Sequence, residues 1–136
     1  MDARAHDEKR LVLEQALTPD RVCFLEATTK EVALRNMIDV LATSAQVRDK
    51  DELADAVFKR EAIMSTGIGL GMAVPHVRIA SVDELVMAIG ISRPGIHDYA
   101  SLDDKPVHLV FLIAAPKGQH AEYLRLLSGL FVTLNG

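Results

Sequence analysis

Apolar positions recur at two spacings along this chain, and the changes of spacing divide it into elements. Leu34, Met37, Ile38 and Leu41 stand at i, i+3, i+4 and i+7, one face of an α-helix. Thr28-Thr29-Lys30-Glu31 precedes them and reads as a capping box, in which Thr28 would bond the third helical N–H and Glu31 would reach back. A second helix is expected to start near Asp49, with Glu52 three positions on, and to turn Leu53, Ala56, Val57, Arg60 and Met64 inward. Arg60 is the odd member of that face. Either its guanidinium meets a carboxylate or a bound anion against the core, because a lone buried charge is expensive, or the side chain snorkels to water.

Strand signals fill the rest. Residues 22–25 are β-branched and aromatic enough for a short strand, and residues 85–91 read as another. Val74 would end a third before Pro75, which has no N–H to give a ladder. Residues 107–114 form a near-continuous apolar run, the pattern of a central strand covered on both faces. Arg93-Pro94-Gly95 is turn chemistry, and Pro116-Lys117-Gly118 ends the long run. Two more helices are expected. One covers residues 11–17 and stops at Thr18-Pro19. The other starts near Gln119 and carries His120, Tyr123, Leu124, Leu127, Leu130 and Phe131 on one stripe. Strands alternating with helices give an α/β (α+β) class: a single mixed β-sheet flanked by helices, since short connections allow antiparallel pairs.

Composition narrows the class. The 136 residues correspond to a single domain, 1–136, large enough to bury a core without staples. With 49% hydrophobic and 25% charged residues the chain is ordinary globular material, not a disordered tail, a collagen-like repeat or a coiled coil. A net charge of −4 and 4% aromatics argue against a nucleic-acid partner, which would need a basic face or stacking platforms. Cys23 is the only cysteine, so it forms no disulfide framework or paired-cysteine metal site and reads as a structural thiol. Residues 1–10 are charged and lack the apolar stretch of a signal peptide. The longest apolar run, 107–116, is too short for a membrane span of ~20 residues. The expectation is a soluble, cytoplasmic protein with no membrane insertion.

Chemistry concentrates around one glycine-rich stretch, Ser65-Thr66-Gly67-Ile68-Gly69-Leu70-Gly71, which leads into Met72-Ala73-Val74-Pro75-His76. It is no Walker A loop, because no Gly-Lys-Ser/Thr follows. It is also a poor dinucleotide fingerprint, and it lacks the GxSxG of a hydrolase elbow. The five histidines (His6, His76, His97, His108, His120) form neither HExxH nor an i, i+4 pair, so no metal site is expected. His76 follows a proline at a strand end, where side chains become exposed on a rigid base, and the glycines upstream let backbone N–H groups approach an anion. His120 lies near a helix start, which favours an anion. His76, His120 and Arg60 could therefore face one place and handle a phosphoryl group. Taken singly, each histidine is ordinarily a hydrogen-bonded structural residue.

The stretch from Ser65 to His76 resembles the active-site signature of the IIA domain of the fructose/mannitol type in the bacterial phosphoenolpyruvate-dependent phosphotransferase system, a family that includes standalone nitrogen-regulatory IIA proteins. Thr18-Pro19-Asp20-Arg21-Val22, Lys30-Glu31-Val32-Ala33-Leu34, Arg60-Glu61 and Val107-His108-Leu109-Val110-Phe111-Leu112 resemble other family segments, as does the helix from His120. The resemblance implies that His76 accepts a phosphoryl group on Nε2 from the phosphohistidine of the carrier protein HPr. It implies that Arg60 pairs with the phosphoryl oxygens and that His120 hydrogen-bonds the group or His76. Ser65 and Thr66 are the further phosphate-binding candidates. Neutral imidazole, with an unperturbed pKa of ~6.5, is an available nucleophile near pH 7. Positioning and charge carry phosphoryl transfer, so no metal, nucleotide or other cofactor is required.

Partners follow from the same resemblance: an HPr-type phosphocarrier, then either a IIB domain whose cysteine takes the group toward a sugar, or regulatory proteins that read the phosphorylation state. The lone domain favours regulation, of the nitrogen type. HPr carriers often present a basic rim, which a −4 partner suits. The chain departs from the family where Leu70 replaces a polar residue, Val77 a glycine, and Asp104 the glycine of Asp-Gly. Leu70 would remove a polar neighbour of the site, and Val77 would narrow its approach. The sequence is short past the His120 helix, so apolar surface near residues 127–132 makes a homo-oligomer an expectation. Two other classes stay open: a non-catalytic interaction module that keeps the fold, and a metal hydrolase built on the histidines.

Overall fold

The apolar run becomes the middle of a sheet. In the computed structural model, which describes residues 16–118, strand β6 (Val107–Ala115) has neighbours on both sides. β5 (Val86–Ile96) runs antiparallel to it, and β1 (Val22–Phe24) lies parallel to β5 beyond. On the other side β3 (Met72–Ala73) and β4 (His76–Arg78) both lie parallel to β6, and β2 (Gly67–Gly69) pairs antiparallel with β3. Six strands thus form one mixed sheet, as the short connections predict.

β3 and β4 are one line of chain. Ala73 lies opposite Val110 and His76 opposite Ile113, so both strands advance by the same three residues. Pro75 has no N–H and interrupts the ladder without shifting its register; its carbonyl still accepts from the Ile113 N–H at 3.0 Å. The strand expected to end at Val74 therefore resumes at His76, and His76 sits in a strand rather than in a loop.

Alternation along these strands sorts side chains between two cores. Ala73, Val77, Val110, Leu112 and Ala114 face one that includes the helices; Met72, Val74, Phe111, Ile113 and Ala115 face the other. Helix α1 (Lys30–Leu41) buries Ala33, Leu34, Met37, Ile38 and Leu41, the expected stripe. Its cap is Thr29, not Thr28: Thr29 Oγ1 accepts from the Val32 N–H at 3.4 Å, and Glu31 pairs with Arg35 instead of reaching back. The Asp98 carboxylate takes the Lys30 N–H at 2.7 Å, a long-range bond that local spacing does not reveal.

Helix α2 (Lys50–Ile63) starts as expected, with Asp49 Oδ1 accepting from the Glu52 N–H at 3.0 Å. Its buried line is Leu53, Val57 and Glu61, at steps of four, rather than a line through Arg60 and Met64. Met64 has left the helix for extended backbone and is 66% exposed. β5 is also longer than the expected strand. It continues through Arg93-Pro94-Gly95 by a bulge, because Ile91 pairs with Leu109 and Ile96 with Val107. Ser92 Oγ accepts the Gly95 N–H at 3.1 Å and stabilises that bulge, where proline is tolerated.

Cys23 is half-buried in β1, 4.0 Å from Met37 Sδ, and burial pushes its thiol pKa up. Among the described residues no helix is long and apolar enough to cross a membrane. The helix expected over residues 11–17 falls mostly outside the described residues, and the helix from Gln119 with His120 falls wholly outside them.

Candidate active site

The glycine stretch folds into the β2–β3 hairpin. Its loop is Leu70-Gly71, with φ of +59° and +75°, the pair of left-handed positions that a type I′ turn requires. Ser101 Oγ accepts the Gly69 N–H at 2.9 Å, and Asp103 Oδ2 accepts the Leu70 N–H at 3.0 Å. That bond and a second from the Lys105 N–H hold the Asp103 carboxyl below the usual carboxylate range. Gly67 is needed for packing: an added Cβ would lie 2.2 Å from the Ala100 carbonyl oxygen.

Behind the hairpin sits a buried carboxylate. Glu61 of α2 accepts from the Thr66 N–H at 3.3 Å, from the Thr66 hydroxyl, and from the Tyr99 hydroxyl at 2.7 Å. Lys30 Nζ lies 3.0 Å from the same carboxylate and 4.5 Å from the centre of the Tyr99 ring. Burial first, then the Glu61 charge, pushes the Tyr99 phenol far above the usual tyrosine range.

His76 opens β4, and its Nδ1 lies 2.6 Å from the Val74 carbonyl oxygen. A carbonyl can only accept, so in the neutral ring Nδ1 carries the proton and Nε2 the lone pair. Arg78 stands two residues on along the strand and shares the histidine's face. It pairs with Ala115 in β6, and Lys117 follows two residues later. Arg60, His76, Arg78 and Lys117 together line an open cleft of about 550 Å³. Arg60 Nη1 donates to the Met64 carbonyl at 2.9 Å, so its half-buried stem ends in a head held at the cleft by the residue that follows α2. Three cationic side chains around one imidazole suit a group that carries several anionic oxygens.

The family model described as "Phosphoenolpyruvate-dependent sugar phosphotransferase system, EIIA 2" matches residues 15–135. The chain belongs to this family. It is 41% identical over 110 residues to the fructose-specific EIIABC component of Bacillus subtilis, covering 81% of the chain and 17% of that protein. It is 34% identical over 116 residues to the fructose-specific EIIA component of Haloferax volcanii, covering 84% of the chain and 75% of that protein. The chain thus spans about a sixth of the first relative's length. Nitrogen regulatory protein IIA-Ntr of Neisseria meningitidis has the same fold, with a TM-score of 0.82 and 26% identity over 92% of this chain and 85% of that one.

Within this EIIA fold the expected site residues part company. His76 and Arg60 meet at the cleft. Ser65 Oγ donates to the Ala100 carbonyl at 2.6 Å, and the Thr66 hydroxyl is buried between Glu61 and Tyr99, so both are bonded within the protein. His120 lies outside the described residues. Leu70 is not a neighbour of His76. The carbonyl of Gly71 beside it accepts from the His108 and Leu109 N–H groups, four strand residues down β6 from Ile113, or roughly 13 Å. Val77 is buried in the helix-side core and faces away from the cleft, so it does not narrow the approach. Asp104 has φ +58°, a left-handed position that glycine adopts without strain.

Sequence reasoning missed Arg78 and Lys117, although strand alternation from His76 and from the end of β6 would have found them. The charge at the site also differs from the chain average. A net −4 suggested a surface suited to a basic rim, yet the described lining of the cleft is cationic. The other described histidines stand elsewhere: His97 is exposed, and His108 Nδ1 bonds the Ser92 carbonyl at 2.8 Å.

Proposed function

We propose that this EIIA domain is a phosphoryl carrier in which His76 is the acceptor. The orientation of the His76 ring in the cationic cleft, Nδ1–H on the Val74 carbonyl and lone pair on Nε2, carries the reading. Nε2 attacks the phosphorus of a phosphohistidine on an HPr-type carrier. The P–N bond of the donor breaks, and its electron pair returns to the donor ring. His76 then holds the group on Nε2 and keeps its Nδ1 proton, and the Val74 carbonyl stabilises the positive charge that spreads over the ring. Arg60 offers a fork to two phosphoryl oxygens. Arg78 and Lys117 add charge, and His120 hydrogen-bonds the group or His76. No cofactor takes part.

Two onward fates suit such a phosphohistidine. Likeness to the fructose-specific relatives favours transfer to a IIB cysteine and then to a sugar. Likeness in fold to the nitrogen regulatory protein favours a signal read by partner proteins. Incubation with phosphoenolpyruvate, enzyme I and a cognate HPr should add one phosphoryl group, and His76→Ala should abolish it. Wild-type protein that stays unmodified under these conditions would overturn the proposal. Adding a cognate IIB domain separates the fates, since only the transport route discharges His76 to a cysteine.

A further inference from the structure

Val74 faces two ways. Its N–H donates to the Thr66 carbonyl at 3.0 Å, and its carbonyl receives the His76 Nδ1 proton at 2.6 Å. In a longer hairpin these outward groups would belong to a ladder, but β2 begins at Gly67 and only Thr66 precedes it there. The placement of Val74 therefore depends on Thr66 on one edge as well as on the β6 pairing of Ala73 and His76 on the other. Thr66 is fixed by Glu61, which takes both its N–H and its hydroxyl, and Glu61 is fixed by Lys30 and Tyr99. The glutamate is 8% exposed and the threonine 6%, so water competes poorly for these bonds.

We propose that Glu61 and Thr66 are positioning residues that set the tautomer of His76. The path runs from the Lys30 ammonium to the Glu61 carboxylate, through Thr66 and the Val74 peptide, to the ring. Between residues the links are hydrogen bonds and one ion pair; within Thr66 and Val74 the path follows the covalent backbone. The structural alternative is that the buried network only joins α1 and α2 to the hairpin. The two differ in what they predict for the ring. A purely structural network leaves the ring's proton where it is whenever the fold survives. A positioning network does not, because a tilted Val74 carbonyl releases Nδ1–H and the ring's proton becomes free to settle on Nε2, which blocks the nucleophilic nitrogen.

Nitrogen NMR of ring-labelled histidine decides between them. It is read on wild type, Glu61→Gln, Thr66→Val and the conservative Thr66→Ser, at a pH where His76 is neutral. Wild type should show His76 with the proton on Nδ1. Glu61→Gln and Thr66→Val should shift a measurable fraction to the Nε2–H form while amide dispersion stays native, and Thr66→Ser should restore the wild-type ring. A wild-type ring protonated on Nε2 overturns the proposal without any variant. So does an unchanged Nδ1–H population in a folded Glu61→Gln or Thr66→Val protein. The kinetic consequence rests on the phosphoryl-carrier reading: the shifted variants should accept the group about 10–100-fold more slowly. Should His76 take no phosphoryl group at all, that reading falls, while the ring spectra still decide the positioning role.

Discussion

Asp103 accepts the amide proton of Leu70 at 3.0 Å across 33 positions of sequence, and so holds an exposed leucine in left-handed backbone at φ +59°. A leucine there is strained, because its Cβ crowds the carbonyl that follows. Leu70 and Gly71 are the two central residues of a type I′ turn, whose preferred pair is Asn-Gly. Leu70→Asn should therefore stabilise the protein, by roughly 0.5–1 kcal/mol, whereas the β-branched Leu70→Val should destabilise it by a similar amount. Urea denaturation midpoints check both signs. Because Leu70 lies at the far end of β6 from His76, phosphoryl acceptance should not change in either variant.

The acid limb of stability should contain a contribution from Asp103. Its folded pKa lies below the ordinary carboxylate value because the N–H groups of Leu70 and Lys105 bond the ionised form. A depressed carboxyl contributes stability that is complete above the unfolded value of ~4 and is lost as pH falls through the folded one. The gap in stability between wild type and Asp103→Asn should thus be constant near neutrality and shrink below pH ~4. Denaturation curves taken at descending pH would show a parallel pair of lines if the carboxylate contributed nothing.

Tyr99 makes the opposite prediction at high pH. Burial and the Glu61 carboxylate disfavour the phenolate, so its folded pKa lies above that of the unfolded chain. The stability it supports is intact below the unfolded value of ~10 and declines as pH rises beyond it. The chain has two tyrosines, Tyr99 and Tyr123. Phenolate absorbance should show Tyr99 titrating only together with alkaline unfolding. Tyr99→Phe should cost about 1–2 kcal/mol at neutral pH, through the bond to Glu61 that it loses, and should flatten the alkaline decline.

The cleft cations should separate by role. Arg60, with its head held by the Met64 carbonyl, presents a fork where the proposed phosphoryl group would sit. Arg60→Ala should slow acceptance about 100-fold with the thermal midpoint nearly unchanged, and Arg60→Lys should recover part of that loss, since a point charge replaces the fork. Lys117→Ala should act chiefly on encounter with the donor, lowering the apparent second-order rate about two- to fivefold at low salt and less at high salt. Stopped reactions at two ionic strengths distinguish these patterns.

Local signals were enough for the elements that local chemistry decides. The Leu34–Leu41 stripe, the Asp49 cap and the apolar run of β6 all appear where spacing places them. Features decided at long range were not legible. The start of α1 depends on Asp98, and the extension of β5 past Pro94 depends on its pairing with Val107. The inward member of α2 lies one residue past the one that spacing predicts, because apolar periodicity alone favours an arginine's aliphatic stem over a bare carboxylate. Glu61 is buried only because Lys30, Thr66 and Tyr99 come from elsewhere to meet it. His76 and Arg60 were legible as a motif; what the motif could not show is that Ser65 and Thr66 spend their hydroxyls inside the protein.

The unbroken register through Pro75 bears on how a charge change at His76 would be noticed. The histidine's backbone is clamped beside Ile113 in the middle of a strand line that continues in both directions. Among the described residues, the backbone at His76 is therefore held by its pairing with β6 whatever the ring carries. A binding partner that tells one state of this face from the other would then read the charge and the group added to the ring rather than a shift of the strand beneath it.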